Sequence, residues 1–152
     1  LLHTFRAEGF KPTLQTYTAL LQAYGGEKDA EAVLKVLEEM KTEGLKPDIK
    51  GCLGAITAFA TNKQVDEAIN VLEMLEAQNV TLSINEYNSI IYACVPKGQY
   101  RIIIPVFEKM KSAGVQPNTL SYAGITLAYT NAAAIAEVLP ILDEMSAYGL
   151  VL

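Results

Sequence analysis

The chain has 152 residues, of which 51% are hydrophobic, and a formal net charge of −5 at pH 7. A negative net charge argues against binding through a broad basic surface, because neutralising phosphates requires clustered Lys and Arg side chains. No apolar run reaches the roughly 18 residues that a membrane-spanning helix needs, so we expect no membrane partner.

The sequence repeats itself with a period of 35 residues. Residues 106–118 repeat the pattern of residues 36–48, with Val, Glu, Met, Lys, Gly and Pro at the same six positions, and in both the Gly is followed three residues later by the Pro. Pro12, Pro47 and Pro117 lie 35 and 70 residues apart. Because Gly favours the left-handed helix end and Pro prevents continuation, each copy predicts a sharp helix stop. A period of this length indicates stacked repeats that share one elongated core.

The period divides the chain into a tail and four units. Residues 1–13 are interpreted as the end of a preceding unit, and units follow at 14–48, 49–83, 84–118 and 119–152, the last of them truncated. Each unit contains two stretches with apolar residues at i, i+3, i+4 and i+7, which predict an antiparallel pair of helices. We therefore expect an all-α solenoid of helix-turn-helix hairpins, and we expect it to be a piece of a longer array.

The apolar stripes give the predicted core. In the first helices they start at Tyr17, Cys52, Tyr87 and Tyr122. In the second helices they are Ala30, Val33, Leu34, Leu37 and Met40 in unit 1 and the same positions in the other units, including Ile69, Ile104 and Leu139.

Two prolines interrupt these second helices at equivalent positions. Pro105 and Pro140 fall a few residues inside the stretches that begin at Tyr100 and Ile135. An interior Pro loses a hydrogen bond and clashes with the preceding turn, at a cost of roughly 3 kcal/mol. The sequence therefore predicts a late start or a kink in these two helices.

Groups suited to catalysis or metal binding are sparse. His3 is the only histidine, and Cys52 and Cys94 lie on apolar stripes, where free buried thiols are the simplest interpretation. We find no nucleophile–base, metal-ligand or phosphate-loop spacing. We therefore predict no enzyme, no cofactor and no metal, with the carboxylates on wetted outer helix faces. These acids are Glu38, Glu39, Glu73, Glu76, Asp143 and Glu144.

The units resemble the pentatricopeptide repeat family. Its 35-residue unit has an aromatic in the first helix, a Glu-Glu-Met-like end to the second helix and a Gly-x-x-Pro-Asp exit. Unit 1 carries these as Tyr17, residues 38–40 and residues 44–48. Tetratricopeptide repeats, at 34 residues, are the nearest alternative, but Leu21 and Ile56 stand where that class needs small residues.

The resemblance implies a right-handed superhelix with the first helices on its concave side. It also implies sequence-specific binding of single-stranded RNA, one nucleotide per unit, by an organellar protein of the mitochondrion or chloroplast that acts in RNA processing, stability or translation. Unit 2 departs from the family pattern, with Cys52, Asn79 and Leu82 in place of the aromatic, the Gly and the Pro.

The family reads each base with the residue after the first-helix aromatic and the last residue of the unit. The resemblance implies guanine for unit 1, a pyrimidine for unit 3 and no such reading by Leu53. Unit 4 offers one residue without a partner. The implied base-reading residues are Thr18 with Asp48, Leu53 with Ser83, Asn88 with Asn118, and Ala123.

Two further sets of residues follow from the resemblance. The family clamps each base between aliphatic side chains near the start of the first helices, where only Leu120 of the four residues fits that pattern; the set is Gln15, Lys50, Asn85 and Leu120. It contacts phosphate near the turn between the helices of a unit, where lysines recur as Lys28, Lys63 and Lys97.

A second function remains open at this point. Repeats of this family also serve as protein-docking scaffolds within large organellar assemblies such as a ribosome or a transcription complex. The polar clamp positions, the nearly uncharged first helices and the negative net charge favour a scaffold. The two intact base-reading pairs favour RNA, which we expect to be the partner.

Overall fold

The computed structural model describes residues 2–97 and 99–151, with all their side chains except those of Leu2, His3, Phe5 and Lys97. These ranges contain helices and no strand, which confirms the all-α prediction, and no helix in them is long and apolar enough to cross a bilayer. The helices are α1 (Leu2–Ala7), α2 (Leu14–Gly26), α3 (Ala30–Thr42), α4 (Ile49–Thr61), α5 (Val65–Ala77), α6 (Ile84–Cys94), α7 (Tyr100–Ser112), α8 (Thr119–Asn131) and α9 (Ile135–Ala147), and a 3-10 turn, Val95–Lys97, follows α6.

The first helix of each unit begins with a side-chain cap. The capping residue is Thr13, Asp48, Ser83 or Asn118, and its side-chain oxygen accepts a hydrogen bond from the backbone N–H three residues later. This bond satisfies one of the N–H groups that a helix start leaves without a partner, and losing it typically costs about 1 kcal/mol. Each helix start is therefore fixed by the last residue of the preceding unit.

The helix ends use left-handed backbone. Gly44 and Gly114 have φ values of 70° and 76°, as the Gly-x-x-Pro spacing predicts, and Asn79 adopts φ 54° at the equivalent position. Left-handed residues also occur at the hairpin turns, where Lys28 has φ 61° and Lys63 has φ 60°. At the first hairpin the N–H of Asp29 donates to the carbonyl of Tyr24 at 2.9 Å, so the chain reverses with its last carbonyls satisfied.

The helices form two layers. The first helices pack side by side, α2 on α4, α4 on α6 and α6 on α8, and these contacts are more extensive than those between second helices such as α5 and α7. Because the layer with the closer contacts lies on the inside of a curved stack, the first helices line the concave side. This arrangement places the predicted base-reading residues in and just before one layer of helices.

The core follows the first-helix stripes and most of the second-helix stripes as predicted, but the buried face of the second helices also includes positions that were not predicted. Val36, Val71 and Val106 are buried, whereas Ile104 and Leu139 are 40% and 58% exposed. The prediction of core positions is therefore wrong for Ile104 and Leu139, and also for Ile135, which is 62% exposed. Apolar residues occupy so many positions of these helices that periodicity alone does not select the buried face.

The late helix starts predicted at the two prolines are also wrong, and a kink, the alternative, stays a prediction. α7 runs from Tyr100 through Pro105, and α9 runs from Ile135 through Pro140. The carbonyls that lose their helical partners belong to Arg101 and Ala136, and both residues are exposed, so water is available to satisfy them.

Two glycines bring α2 and α4 into direct backbone contact. A Cβ added to Gly54 would lie 2.6 Å from the carbonyl oxygen of Leu21, and one added to Gly25 would overlap the backbone of Gly54. Real Cβ atoms are not found at such distances, so only Gly permits this approach. The first two units are therefore joined by the closest of the helix contacts along the concave side.

We expect Gly54→Ala to destabilise the array. The added methyl meets backbone, which cannot rotate away, and forced overpacking of this kind typically costs about 1–3 kcal/mol. Gly26→Ala is the matched control in the same region, because nothing lies within 4 Å of its added Cβ. Thermal denaturation followed by circular dichroism should show a lower Tm for Gly54→Ala than for Gly26→Ala, and equal Tm values would contradict the proposed tight contact.

Candidate nucleic-acid interface

Unit 1 brings its two predicted base-reading residues into contact. The hydroxyl of Thr18 donates to Oδ1 of Asp48 at 3.0 Å, and the same oxygen accepts from the N–H of Gly51 at 2.9 Å. Thr18 is buried and Asp48 is half-buried. Because both of these bonds use Oδ1, the second carboxylate oxygen is left as a hydrogen-bond acceptor for a base edge.

Unit 3 builds a larger polar network around its pair. Nδ2 of Asn88 donates to Oδ1 of Asn118 at 3.4 Å, and the hydroxyl of Ser121 donates to Oδ1 of Asn88 at 2.7 Å. Oδ1 of Asn118 also caps α8 by accepting from the N–H of Ser121 at 3.0 Å. Each amide oxygen therefore already accepts a hydrogen bond within the protein, whereas N–H groups of both amides are left as donors for a ligand. Ser121 was not among the predicted site residues, although its place in the capping box of α8 marks it in the sequence.

Units 2 and 4 lack such a pair. Leu53 is half-buried and has no polar side-chain atom, and Ser83 is occupied as the cap of α6, accepting from the N–H of Glu86 at 3.4 Å. Ala123, half-buried in α8, likewise offers no side-chain hydrogen bond. Of the predicted sets, the structure brings together those of units 1 and 3. Their role in reading bases stays a prediction.

A cleft of about 360 Å³ lies beside the unit 3 pair. It brings together Asn88 and the predicted clamp residues Asn85 and Leu120, and Ser89 and Tyr92 complete its lining. Leu120 is 51% exposed and Tyr92 is 36% exposed, and the hydroxyl of Tyr92 donates to the carbonyl of Leu120 at 3.2 Å. An aliphatic side chain and an aromatic ring therefore flank an open space next to polar groups.

Tyr92 was missed by the sequence analysis. It lies one turn after Asn88 on the same helix face, which is the signal that would have found it. It was overlooked because the equivalent residues of the other units are Gln22, Thr57 and Leu127, so no repeated aromatic marks the position.

The remaining clamp residues lie on the same side of the array. Gln15 and Lys50 are both exposed in the first turn of their helices. Lys50 and Leu53 line an open cleft of about 290 Å³ between α2 and α4, where Gly25 and Gly54 form part of the floor. A base in this second cleft would contact a lysine and a leucine rather than an aromatic ring.

The structure describes the side chains of two of the three lysines predicted to contact phosphate. Lys28 and Lys63 are exposed at equivalent left-handed turn positions. The carbonyl of Lys28 accepts from Nδ2 of Asn62 at 2.7 Å, which fixes this turn against the next unit. The side chain of Lys97 lies outside the described residues. Phosphate contact by all three lysines stays a prediction.

The two cysteines are buried as thiols of low reactivity. Cys52 and Cys94 are free and buried, and desolvation raises the pKa of both thiols to about 12, so neither is a thiolate near neutral pH. In the part of the chain that the structure describes, no three His, Cys, Asp or Glu side chains are grouped as metal ligands.

Comparison with known proteins adds two results. The family model for the pentatricopeptide repeat domain matches residues 1–51, 35–76 and 70–132. A comparison with curated proteins found no match.

Solved structures share the fold. The pentatricopeptide repeat protein PPR10 from maize matches with a TM-score of 0.79 and 23% identity. PPR10 in complex with an 18-nt psaJ RNA element, and a cysteine-substituted form of that complex, each match with a TM-score of 0.70 and 21% identity. All three matches cover 99% of this chain and 22% of the other, so this chain spans about a fifth of the length of PPR10. The repeat period, the helix pairs and the family match lead to one conclusion: the chain belongs to the pentatricopeptide repeat family.

Proposed function

We propose that this segment binds single-stranded RNA along its first helices and that units 1 and 3 each read one base. The observation that carries the proposal is the contact between the paired polar residues, Thr18 with Asp48 and Asn88 with Asn118. The two pairs occupy equivalent positions of different units and form the same kind of polar site, as binding of one base per unit requires. The complex of PPR10 with RNA supports this assignment by analogy of fold.

The free hydrogen-bonding groups support a different base for each unit. Asp48 offers a carboxylate oxygen, which matches the N1–H and N2–H donors of guanine. The unit 3 network offers amide N–H groups from Asn88 and Asn118, which match the O2 carbonyl that both pyrimidines carry. Tyr92 and Leu120 would hold the unit 3 base between a ring and an aliphatic side chain, and stacking of this kind is commonly worth about 1–3 kcal/mol per base.

We further propose that the protein is organellar and acts on RNA processing, stability or translation, in the mitochondrion or the chloroplast. This step rests on the family, whose members are mostly organellar RNA binders. We infer that the segment itself has no catalytic role. The support is the absence of an activated nucleophile or grouped metal ligands among the described side chains, together with the general character of the family.

We expect an exchange of residue pairs to exchange base preference. Asn88→Thr with Asn118→Asp should move one position of the preferred RNA from a pyrimidine to guanine, with a discrimination of about 1–3 kcal/mol. Asn88 is buried and loses its bond from Ser121, so we also expect a stability loss of about 1 kcal/mol. Selection from a random RNA pool measures the preference, and thermal denaturation shows whether the variant folds.

The reciprocal exchange in unit 1 is the control for this experiment. Thr18→Asn with Asp48→Asn should replace guanine by a pyrimidine at a second position, and Asn retains the helix cap. If both folded variants keep the original base preferences, these units do not read bases, and the protein-docking alternative takes precedence.

Tyr92→Ala should weaken RNA binding without unfolding the protein. The ring is 36% exposed at the cleft, so its removal should cost about 1–3 kcal/mol of stacking, and thermal denaturation should show that the variant remains folded. Leu127→Ala is the matched control, since Leu127 occupies the equivalent position of unit 4 and is 47% exposed. Fluorescence anisotropy with a labelled RNA should show the loss for Tyr92→Ala alone.

Lys28→Ala with Lys63→Ala should flatten the salt dependence of RNA affinity. Each lysine that neutralises a phosphate contributes about 0.7 to the slope of log K against log salt for single strands. Ala133 adopts φ 57° at the equivalent turn of unit 4, so Ala is compatible with this backbone. Lys35→Ala with Arg101→Ala removes two exposed cations from second helices as a control and should leave the slope unchanged.

A further inference from the structure

A series of ion pairs joins the second helices of neighbouring units. Each pair links a residue to one 33 positions later, and we call the series the ion-pair ladder. Its members lie at the same position of each interface, but the order of the charges varies. The pairs are Arg6–Glu39 at 3.6 Å, Glu76–Lys109 at 2.6 Å and Lys111–Glu144 at 3.4 Å.

The ladder is interrupted between units 1 and 2. The residues at this position are Lys41 and Met74, and a methionine cannot pair with a lysine. Lys41 is exposed, and Met74 is 37% exposed. The residues equivalent to Lys41 in the other described interfaces are Arg6, Glu76 and Lys111, and each of them pairs with an opposite charge. Lys41 faces Met74 instead.

An open apolar groove of about 450 Å³ occupies this place. One wall is a face of α3 that extends over two turns from Leu34 through Leu37 to Lys41, and Met74 of α5 forms part of the other side. The segment that follows α3 closes one end with Leu45. The charged side chains at the groove are Glu38, Lys41 and Lys46, so its local charge is positive in a chain of net charge −5.

We propose that this groove binds a peptide segment of a partner protein in which a carboxylate side chain lies next to large apolar side chains. The carboxylate pairs with Lys41 and supplies the charge that Met74 lacks. The apolar side chains pack on Leu34, Leu37 and Met74. The proposal concerns the second helices and the segment after α3, so it is independent of RNA binding by the first helices.

The shape of the groove supports a peptide as the occupant. Its wall is one face of α3, with Leu34, Leu37 and Lys41 spaced i, i+3, i+7, and apolar grooves on helical surfaces accept the apolar face of amphipathic segments. In the next interface the equivalent space is crossed by the Glu76–Lys109 pair, so polypeptide side chains already fill this position elsewhere in the array. Charge complementarity at Lys41 and Lys46 selects an acidic segment over a basic one.

The test is a selection of random 12-residue peptides, displayed on phage, against the whole chain. Soluble Met74→Glu protein is added as a competitor to remove peptides that bind elsewhere on the chain. Its groove should be closed to peptides, because the new carboxylate is expected to pair with Lys41. We expect the surviving peptides to combine Asp or Glu with large apolar residues. A synthetic survivor should bind at least tenfold more tightly than its version with Asn or Gln in place of the acids, measured by fluorescence anisotropy.

Variants of the protein then locate the binding site. Lys41→Ala and Met74→Glu should each lower the affinity for the peptide at least tenfold. Both positions are exposed, so both variants should fold. Lys35→Ala is the matched control on the same helix, since Lys35 is an exposed lysine that pairs with Glu31 at 3.2 Å. The affinity of this variant for the peptide should stay within twofold of the original. RNA affinity should be unchanged in all three.

Several results would overturn the proposal. Selected peptides that lack a carboxylate, or a peptide affinity that Lys41→Ala leaves unchanged, would contradict the proposed pairing of a carboxylate with Lys41. Binding of decanoate at the groove with no enriched peptide would assign it to an acyl chain. A concentration-dependent dimer that Met74→Glu abolishes, seen by sedimentation, would assign it to a second copy of this chain.

Discussion

The structure depends on one hydrogen bond that recurs at each unit boundary, from a backbone N–H near the start of a first helix to the side chain that precedes the helix. At Asp48 and Asn118 the capping oxygen also contacts the polar residue of its own unit. The residue types that cap helices well are Ser, Thr, Asp and Asn, and their hydroxyl, carboxylate and amide groups also distinguish base edges. If these units read bases as we propose, helix capping restricts which bases a unit can be built to read.

The closeness of the units varies along the array. Gly25 and Gly54 bring α2 onto α4, whereas Tyr92 stands over the equivalent space between α6 and α8 and leaves a cleft with an aromatic wall. The spacing between neighbouring polar sites is thus set by small and large residues in the same helix layer. A ligand that follows this layer meets a tight junction first and an open, aromatic one later.

Most of the fold was predictable because it repeats. The helix ends at Gly44 and Gly114 and the first-helix core recur at a fixed step, and each recurrence supports the others. Features that occur once were missed, including the contact of Gly54 with α2 and the position of Tyr92. The buried face of the second helices was only partly predicted, because apolar residues such as Leu34 and Val36 occur at several positions around these helices and only packing against the next unit selects between them. The outward-facing acids were likewise read as solvated, although Glu39, Glu76 and Glu144 contact cations of neighbouring units.

The changing charge order of the ion-pair ladder affects how the array tolerates rearrangement of its own sequence. Similar repeats invite recombination that deletes a whole unit and leaves the helical period intact. Loss of residues 49–83 would place Lys41 opposite Lys109, and loss of residues 84–118 would place Glu76 opposite Glu144. Like charges at such a contact destabilise the junction by amounts similar to what opposite charges contribute. The charges of the ladder therefore disfavour an array that has lost unit 2 or unit 3.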